Sequence, residues 1–182
     1  MTQITIRPAT TEDIPAIARI HVPAKQKAYA YVVDNDFLAA KTFEEYEEKW
    51  RKFMAAEDAN QFIAHVDNQP AGMISYGRLR TPPPGTSRLR PLYAAEIFGI
   101  HVHPDFWRQG VGKALLQKAV EDLKNQKLKS LCLWVLDGNT NARGFYDHLR
   151  GQRIGKRMIE VGPSKVKELC YGWRDSSVLM DG

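Results

Sequence analysis

Val102-His103-Pro104-Asp105-Phe106-Trp107-Arg108-Gln109-Gly110-Val111-Gly112-Lys113-Ala114-Leu115-Leu116 reads as the end of a strand, a short turn and the start of a helix. Pro104 stops the strand, and Val111, Ala114, Leu115, Ala119 and Leu123 recur at the spacing of a buried helical face. Gly110-x-Gly112 falls at the junction. The first N–H groups of a helix have no internal partners and the macrodipole is positive there, while glycine lets an anion approach the backbone closely. Such a segment suits a phosphate or pyrophosphate. It is not a dinucleotide fingerprint, because Leu115 stands where the third glycine belongs. Nor is it a Walker loop: Lys113 is followed by Ala114, and Trp107 occupies the place of the first glycine. Alone, the segment leaves open an anion cradle or a glycine-rich turn that merely begins a helix.

Outward from this segment the pattern alternates between strand and helix. Thr2 to Arg7 alternates with Ile4 and Ile6 on one face, and Pro8 ends it. Thr10-Thr11-Glu12-Asp13 resembles a capping box ahead of Ile14, Ile17 and Ala18. Residues 22–37 lose clear periodicity. Phe43, Tyr46, Trp50, Phe53 and Met54 then share a helix face, with Glu44, Glu45, Glu47 and Glu48 largely on the wet side. Gln61 to Val66 and Ala71 to Leu79 form a hairpin, and Thr81 to Pro91 is a Pro-, Gly- and Arg-rich loop. Tyr93 to Val102 is a long strand with a bulge expected at Gly99. Leu131 to Leu136 is a strand covered on both faces, and a helix runs from Thr140 to Leu149 with Gly151 as its expected stop. Arg153 to Val161 and Val166 to Trp173 close the series. The order β-α-α-β-β-β-α-β-α-β-β fits one α/β or α+β layered domain spanning residues 1–182.

A second motif lies downstream: Trp134-Val135-Leu136-Asp137-Gly138-Asn139-Thr140-Asn141-Ala142-Arg143-Gly144-Phe145-Tyr146 follows a buried strand and opens a helix. The two motifs, in this order and spacing, resemble the GNAT superfamily of CoA-dependent N-acetyltransferases. The likeness spans nearly the whole chain, and Leu169-Cys170-Tyr171-Gly172-Trp173-Arg174 is similar to the tail of a bacterial branch acting on small molecules or peptides. It implies a mixed, mostly antiparallel central sheet of six to seven strands flanked by helices, with the fourth and fifth strands splayed apart.

The resemblance also implies roles. Arg108, Gln109, Gly110, Val111, Gly112 and Lys113 would cradle the pyrophosphate of acetyl-CoA, with Trp107 standing where the family usually has Gln or Arg. Backbone N–H groups would therefore carry that contact. Ile100, His101 and Val102 would pair with the pantetheine arm, and Asn139 would bond the cofactor near the splay. Tyr146 matches the tyrosine that protonates the departing thiolate. Phe145 and Tyr146 point about 100° apart, so Phe145 is expected in the core and Tyr146 in the cleft; a packed core tyrosine is the alternative. Glu96 matches the glutamate that deprotonates the amine, with an ion pair to an arginine as its plainer reading. Tyr29, Tyr31 and Phe37 are candidates for an apolar acceptor pocket or for ordinary packing. The arginines of the loop from Arg80 to Pro91 hint at an acceptor bearing a carboxylate or phosphate. The resemblance allows a homodimer.

Composition bounds the rest. The chain has 182 residues, is 43% hydrophobic and carries a net charge of +5, with scattered basic residues rather than the stripe expected for nucleic-acid binding. No apolar run approaches the roughly 20 residues that span a bilayer, and Met1-Thr2-Gln3-Ile4 lacks the layout of a signal peptide. Cys132 and Cys170 lie in apolar strands and read as reduced core thiols of a cytoplasmic protein. His101 and His103 share a strand face but have no evident third ligand, so no metal is expected; His101 could serve as an auxiliary base. The competing functions are a non-catalytic acyl-CoA sensor and a basic nucleic-acid-binding domain.

Overall fold

In a computed structural model, which describes residues 3–55, 59–80 and 92–180, seven strands form one sheet in the order β1-β2-β3-β4-β5-β7-β6. They are β1 (Ile4–Pro8), β2 (Ala59–Val66), β3 (Gln69–Arg78), β4 (Ala95–Val102), β5 (Leu131–Leu136), β6 (Gln152–Val161) and β7 (Ser164–Trp173). Every neighbouring pair is antiparallel except β4 and β5. The hairpin between β2 and β3 turns on Asp67 and Asn68, both at positive φ, the two-residue turn whose twist matches that of the strands.

Side-chain alternation assigns the helices to the two faces. Phe62, Ala64, Ile74 and Tyr76 point to α4 (Val111–Asn125), whose Val111, Leu115, Leu116, Ala119, Val120 and Leu123 are buried against them. The Tyr76 phenol donates to Asp122 on α4 at 2.8 Å. α5 (Thr140–His148) lies on the same face, with Tyr146 packed among Leu133, Val135, Tyr171 and Trp173. Ile63 and Met73 point the opposite way, into a cluster with α1 (Ile14–Tyr29) and α3 (Phe43–Met54). The short α2 (Asn35–Ala39) places Leu38 against Leu136 and Val166 on that second face. No helix among the described residues is long and apolar enough to cross a membrane.

Three local expectations are corrected. α1 continues past residue 22, where clear periodicity is lost, through Pro23 to Tyr29, because Val22 and Ala24 remain buried and tertiary packing outweighs one missing backbone donor. The β4 bulge falls at Phe98: Ser75 faces Gly99 while Tyr76 faces Ile97, leaving Phe98 without a partner. The left-handed residue that ends α5 is Arg150 (φ +61°), not Gly151. Gly151 is needed for close approach, since a Cβ there would lie 2.7 Å from the Trp173 ring and 3.0 Å from the Tyr146 carbonyl. The arginine-rich loop 81–91 lies outside the described residues, as does Thr2 of the first strand.

The capping box forms as expected. Asp13 Oδ2 accepts from the Thr10 N–H at 2.8 Å, and both Asp13 oxygens accept from Arg7, at 2.6 and 2.7 Å. The Arg7 hydrogen bond is the largest cause holding the Asp13 carboxyl down at about 2, against an ordinary 3.8. A carboxyl whose folded value lies below its unfolded one adds stability in full above about pH 4 and loses it as pH falls through about 2. With the Arg7 side chain half exposed, screening trims the contribution to about 1–2 kcal/mol. Asp13→Asn should therefore lower the urea-unfolding free energy by about that amount at pH 7. The gap to the unsubstituted chain should narrow between pH 4 and pH 2; a gap independent of pH would contradict the assignment.

Candidate active site

The site is built on the parting of two parallel strands. β4 and β5 are in register only at Ala95–Leu131, Glu96–Cys132 and Ile97–Leu133, and beyond these pairs β4 runs on to Val102 without β5 beside it. The Phe98 bulge sits where the parting begins, and an extra residue of this kind bends and twists its strand. His103 donates to the Ala71 carbonyl at 2.8 Å, so the backbone groups of His101 and His103 point to β3. By alternation those of Ile100 and Val102 point into the splay. The Val102 carbonyl is taken there by the Trp107 indole N–H at 2.7 Å. Trp107 thus braces the rim of the splay.

The glycine segment follows that rim. Arg108 (φ +64°) and Gly110 (φ +84°) are both left-handed, and α4 begins at Val111. The first backbone bond of the helix runs from the Ala114 N–H to the Gly110 carbonyl at 2.9 Å. Among the described residues, no group accepts from the N–H groups of Arg108 to Lys113. A Cβ on Gly112 would lie 3.7 Å from Val102 and 3.8 Å from the Phe145 ring, so the loop borders the end of β4 and the face of α5. Gln109 turns its amide back to the Asp105 carbonyl at 2.9 Å. Unbonded N–H groups at the positive end of a helix form a cradle for an anion.

α5 supplies the far wall. Asn139 caps the helix, its Oδ1 accepting from the Ala142 N–H at 3.2 Å. Asp137 braces the preceding turn, bonded to Arg143 at 2.8 Å and to Lys167. Both aromatics of α5 pack on the core, and Tyr146, expected in the cleft, is the more buried of the two. Phe145 is half-buried beside the glycine loop, whereas Tyr146 is 5% exposed, its ring centroid 5.6 Å from that of Tyr171 and 6.2 Å from that of Trp173. The Tyr146 hydroxyl has no hydrogen-bond partner among the described residues, and it is not among the fully occluded polar atoms. Burial, then the Tyr29 phenol, raise its proton affinity, so it stays protonated at neutral pH.

The opposite face of the splay is lined from α1. Glu96 is buried at the base of the gap, and its Oε2 accepts from the Arg80 N–H at 3.0 Å. Arg80 lays its guanidinium over Phe98 at 3.9 Å. His101 turns away from α4 and stacks on His21, with ring centroids 3.7 Å apart; His21 Nδ1 accepts from the Trp50 indole at 3.1 Å. Burial is the main cause pushing His101 down to about 3, which makes it a weak base at neutral pH. His103 instead accepts from the Asp105 N–H, so the two imidazoles do not converge. Tyr29, pushed up to about 12 mainly by burial and next by Glu168, packs against the cluster of Val33, Leu38, Leu136 and Val166. Tyr31 is fully exposed, and Phe37 covers the turn at Gly162 with Lys41 over its ring at 4.3 Å. Of the three aromatics proposed for an acceptor pocket, Tyr29 lies beside Leu136 of β5, Tyr31 stands in solvent and Phe37 covers a turn.

The pattern of the Acetyltransferase (GNAT) family matches residues 26–152, well over half of the chain. The chain belongs to the GNAT family of acetyltransferases. This GNAT is 29% identical over 177 residues to the uncharacterized N-acetyltransferase YuaI of Bacillus subtilis, covering 97% of the chain and 96% of that protein. A probable N-acetyltransferase of Mycobacterium tuberculosis, Rv2775, is 28% identical over 148 residues, 79% of the chain and 77% of its own length. In fold it is similar to the PaiA N-acetyltransferase of Thermoplasma acidophilum, solved in complex with coenzyme A (TM-score 0.66, 19% identity, 92% and 98% of the two chains). The ribosomal-protein-S18-alanine N-acetyltransferase of Escherichia coli is similar too (TM-score 0.63, 21% identity, 93% and 92% of the two chains).

Sequence reasoning missed part of this GNAT's site. His21, Lys25 and Tyr29 recur every four residues along α1 and form one stripe over the splay, a pattern that is visible once Pro23 is read as internal to the helix. The Trp107 bond to Val102 had no sequence signal beyond the departure from the family's loop pattern. Trp107→Phe keeps the ring but strips the indole donor from the Val102 carbonyl. It should cost about 1 kcal/mol in urea unfolding. An unchanged midpoint would mean that this bond does not brace the rim.

Proposed function

We propose that this GNAT moves an acetyl group from acetyl-CoA to a primary amine by direct attack in a ternary complex. One observation carries the reading: the main-chain groups of Ile100 and Val102 that face the splay lead straight to the unbonded N–H groups of Arg108 to Lys113. A thioester arm laid along β4 would complete the interrupted sheet, and its pyrophosphate would reach the start of α4. The residues fit such a group, because Gly110 takes a left-handed turn and Gly112 presents bare backbone where a Cβ would touch Val102 and Phe145. The coenzyme A held by the Thermoplasma acidophilum protein supports the donor. The alanine named in the Escherichia coli enzyme supports an amine as acceptor.

Within this reading each residue has a task. The Val102 N–H polarises the thioester carbonyl and meets the charge that develops on its oxygen. Glu96, one residue before the parting, takes the proton from the acceptor ammonium directly or through water. The freed amine attacks; the C–N bond forms as the C–S bond breaks, and the Tyr146 phenol gives its proton to the departing sulfur. Asn139 fixes the start of α5 and leaves its amide NH2 available to the donor. Positioning both substrates in one gap supplies much of the rate.

Tyr146→Phe should lower kcat about 100-fold while leaving the KM for acetyl-CoA within about twofold, measured as thiol release with an accepted amine. An unchanged kcat would remove Tyr146 as the acid.

A further inference from the structure

α1 carries Ile17, His21, Lys25 and Tyr29 at four-residue steps, so one stripe runs from the core to the cleft. Its two flanks are fixed on opposite sides of the parted strands. His21 stacks on His101 of β4, and Tyr29 packs with the cluster holding Leu136 of β5 and Val166 of β7. Lys25 lies between them, about 6 Å along the axis from each at the rise of an α-helix. It therefore overhangs the gap between β4 and β5, on the face opposite α4 and the glycine loop.

The charges around Lys25 do not balance. Its ammonium lies 5.5 Å from the Tyr29 ring centroid and 5.9 Å from that of Tyr46, and Lys49 also sits over the Tyr46 ring at 4.8 Å. Lys41 is near enough to repel it as well. Lys41 has Glu45 at 3.6 Å, but among the described residues neither Lys25 nor Lys49 has a carboxylate partner. Glu168, which acts on Tyr29, is already bonded by Arg157 at 2.7 Å. A half-buried cation facing two further cations is destabilised by lost hydration and by like charge, and Lys25 holds its proton less tightly for these reasons, burial first. An oxyanion at this point would offset both costs.

We infer that Lys25, supported by Lys49, binds a carboxylate carried by the amine acceptor, so that the acceptor is a small amino acid or a peptide-like amine with a nearby acid group. The inference rests on the proposed acetyl transfer for the acceptor's amine end and adds its other end. The donor's phosphates do not meet the need, because the loop from Arg108 to Lys113 lies on the α4 face.

The test pairs amines that differ only in the carboxylate, such as β-alanine with ethylamine and 4-aminobutanoate with propylamine, alongside a set of α-amino acids and their amides. Thiol release from acetyl-CoA and calorimetric binding to the protein without acetyl-CoA are both read. The expected result is preference for the acid-bearing member of a pair. Lys25→Met should raise the KM or Kd of that acceptor about tenfold or more and shift the KM for acetyl-CoA less than about twofold, with Lys25→Arg recovering much of the loss. Lys49→Gln, on an exposed helix face, gives a smaller shift in the same direction and serves if Lys25→Met does not fold. Thiol release that ignores the carboxylate, or acid-bearing acceptors that bind Lys25→Met as well as the unsubstituted chain, would overturn the inference and leave the acetyl transfer standing. Binding of the acids through Lys25 with no thiol release from any amine would do the reverse. No binding of any acid-bearing amine by either readout would overturn it too.

Discussion

Three parallel backbone pairings, and no more, join β4 to β5, and the rest of the site depends on where they stop. Strand backbone left unpaired inside a protein is costly unless something bonds it, and closing the sheet would have been the cheaper arrangement. Here the bulge at Phe98 bends β4 away, and the packing of α4 under one strand and α5 under the other keeps the gap wedged open. The Trp107 indole satisfies one of the exposed carbonyls, while the other main-chain groups of Ile100 and Val102 remain directed into the gap.

The same bulge sets the chemistry of the two faces. Before it, Ala95 and Ile97 point to α4; after it, Ile100 and Val102 do, so Glu96, Phe98 and His101 are left on the α1 side. The gap is therefore entered from two directions. The α4 side offers backbone donors and glycine, suited to phosphate. The α1 side offers a buried carboxylate, a phenol and an uncompensated ammonium. Tyr146 on α5 is held in a tightly packed aromatic cluster with Tyr171 and Trp173, and burial keeps its phenol protonated.

What was legible in the sequence follows from range. The loop from Arg108 to Lys113, the cap at Asn139 and the helix that carries Tyr146 are each set by residues close along the chain, and their order fixes the strand and helix sequence around them. The partners of α1 are distant in sequence: His21 meets His101 and Trp50, and Lys25 meets Tyr46 and Lys49. The loss of clear periodicity from residue 22 onward hid that stripe. Phe145 and Tyr146 show a related failure, because helical geometry separates neighbours by about 100° without saying which one the core receives. Tyr171 and Trp173 on β7 decide it in favour of Tyr146. Tyr31 and Phe37 share with Tyr29 a segment assigned to the acceptor by family analogy, and the turn after α1 separates them.

The splay as the donor's seat is tested most directly by backbone amide hydrogen exchange with and without acetyl-CoA, followed residue by residue. Protection should rise at Ile100 or Val102 and through Gly110 to Lys113, while the β1–β2 pairing at the far edge of the sheet is unchanged. Protection confined to other segments, or none at the end of β4, would contradict a thioester arm laid along that strand.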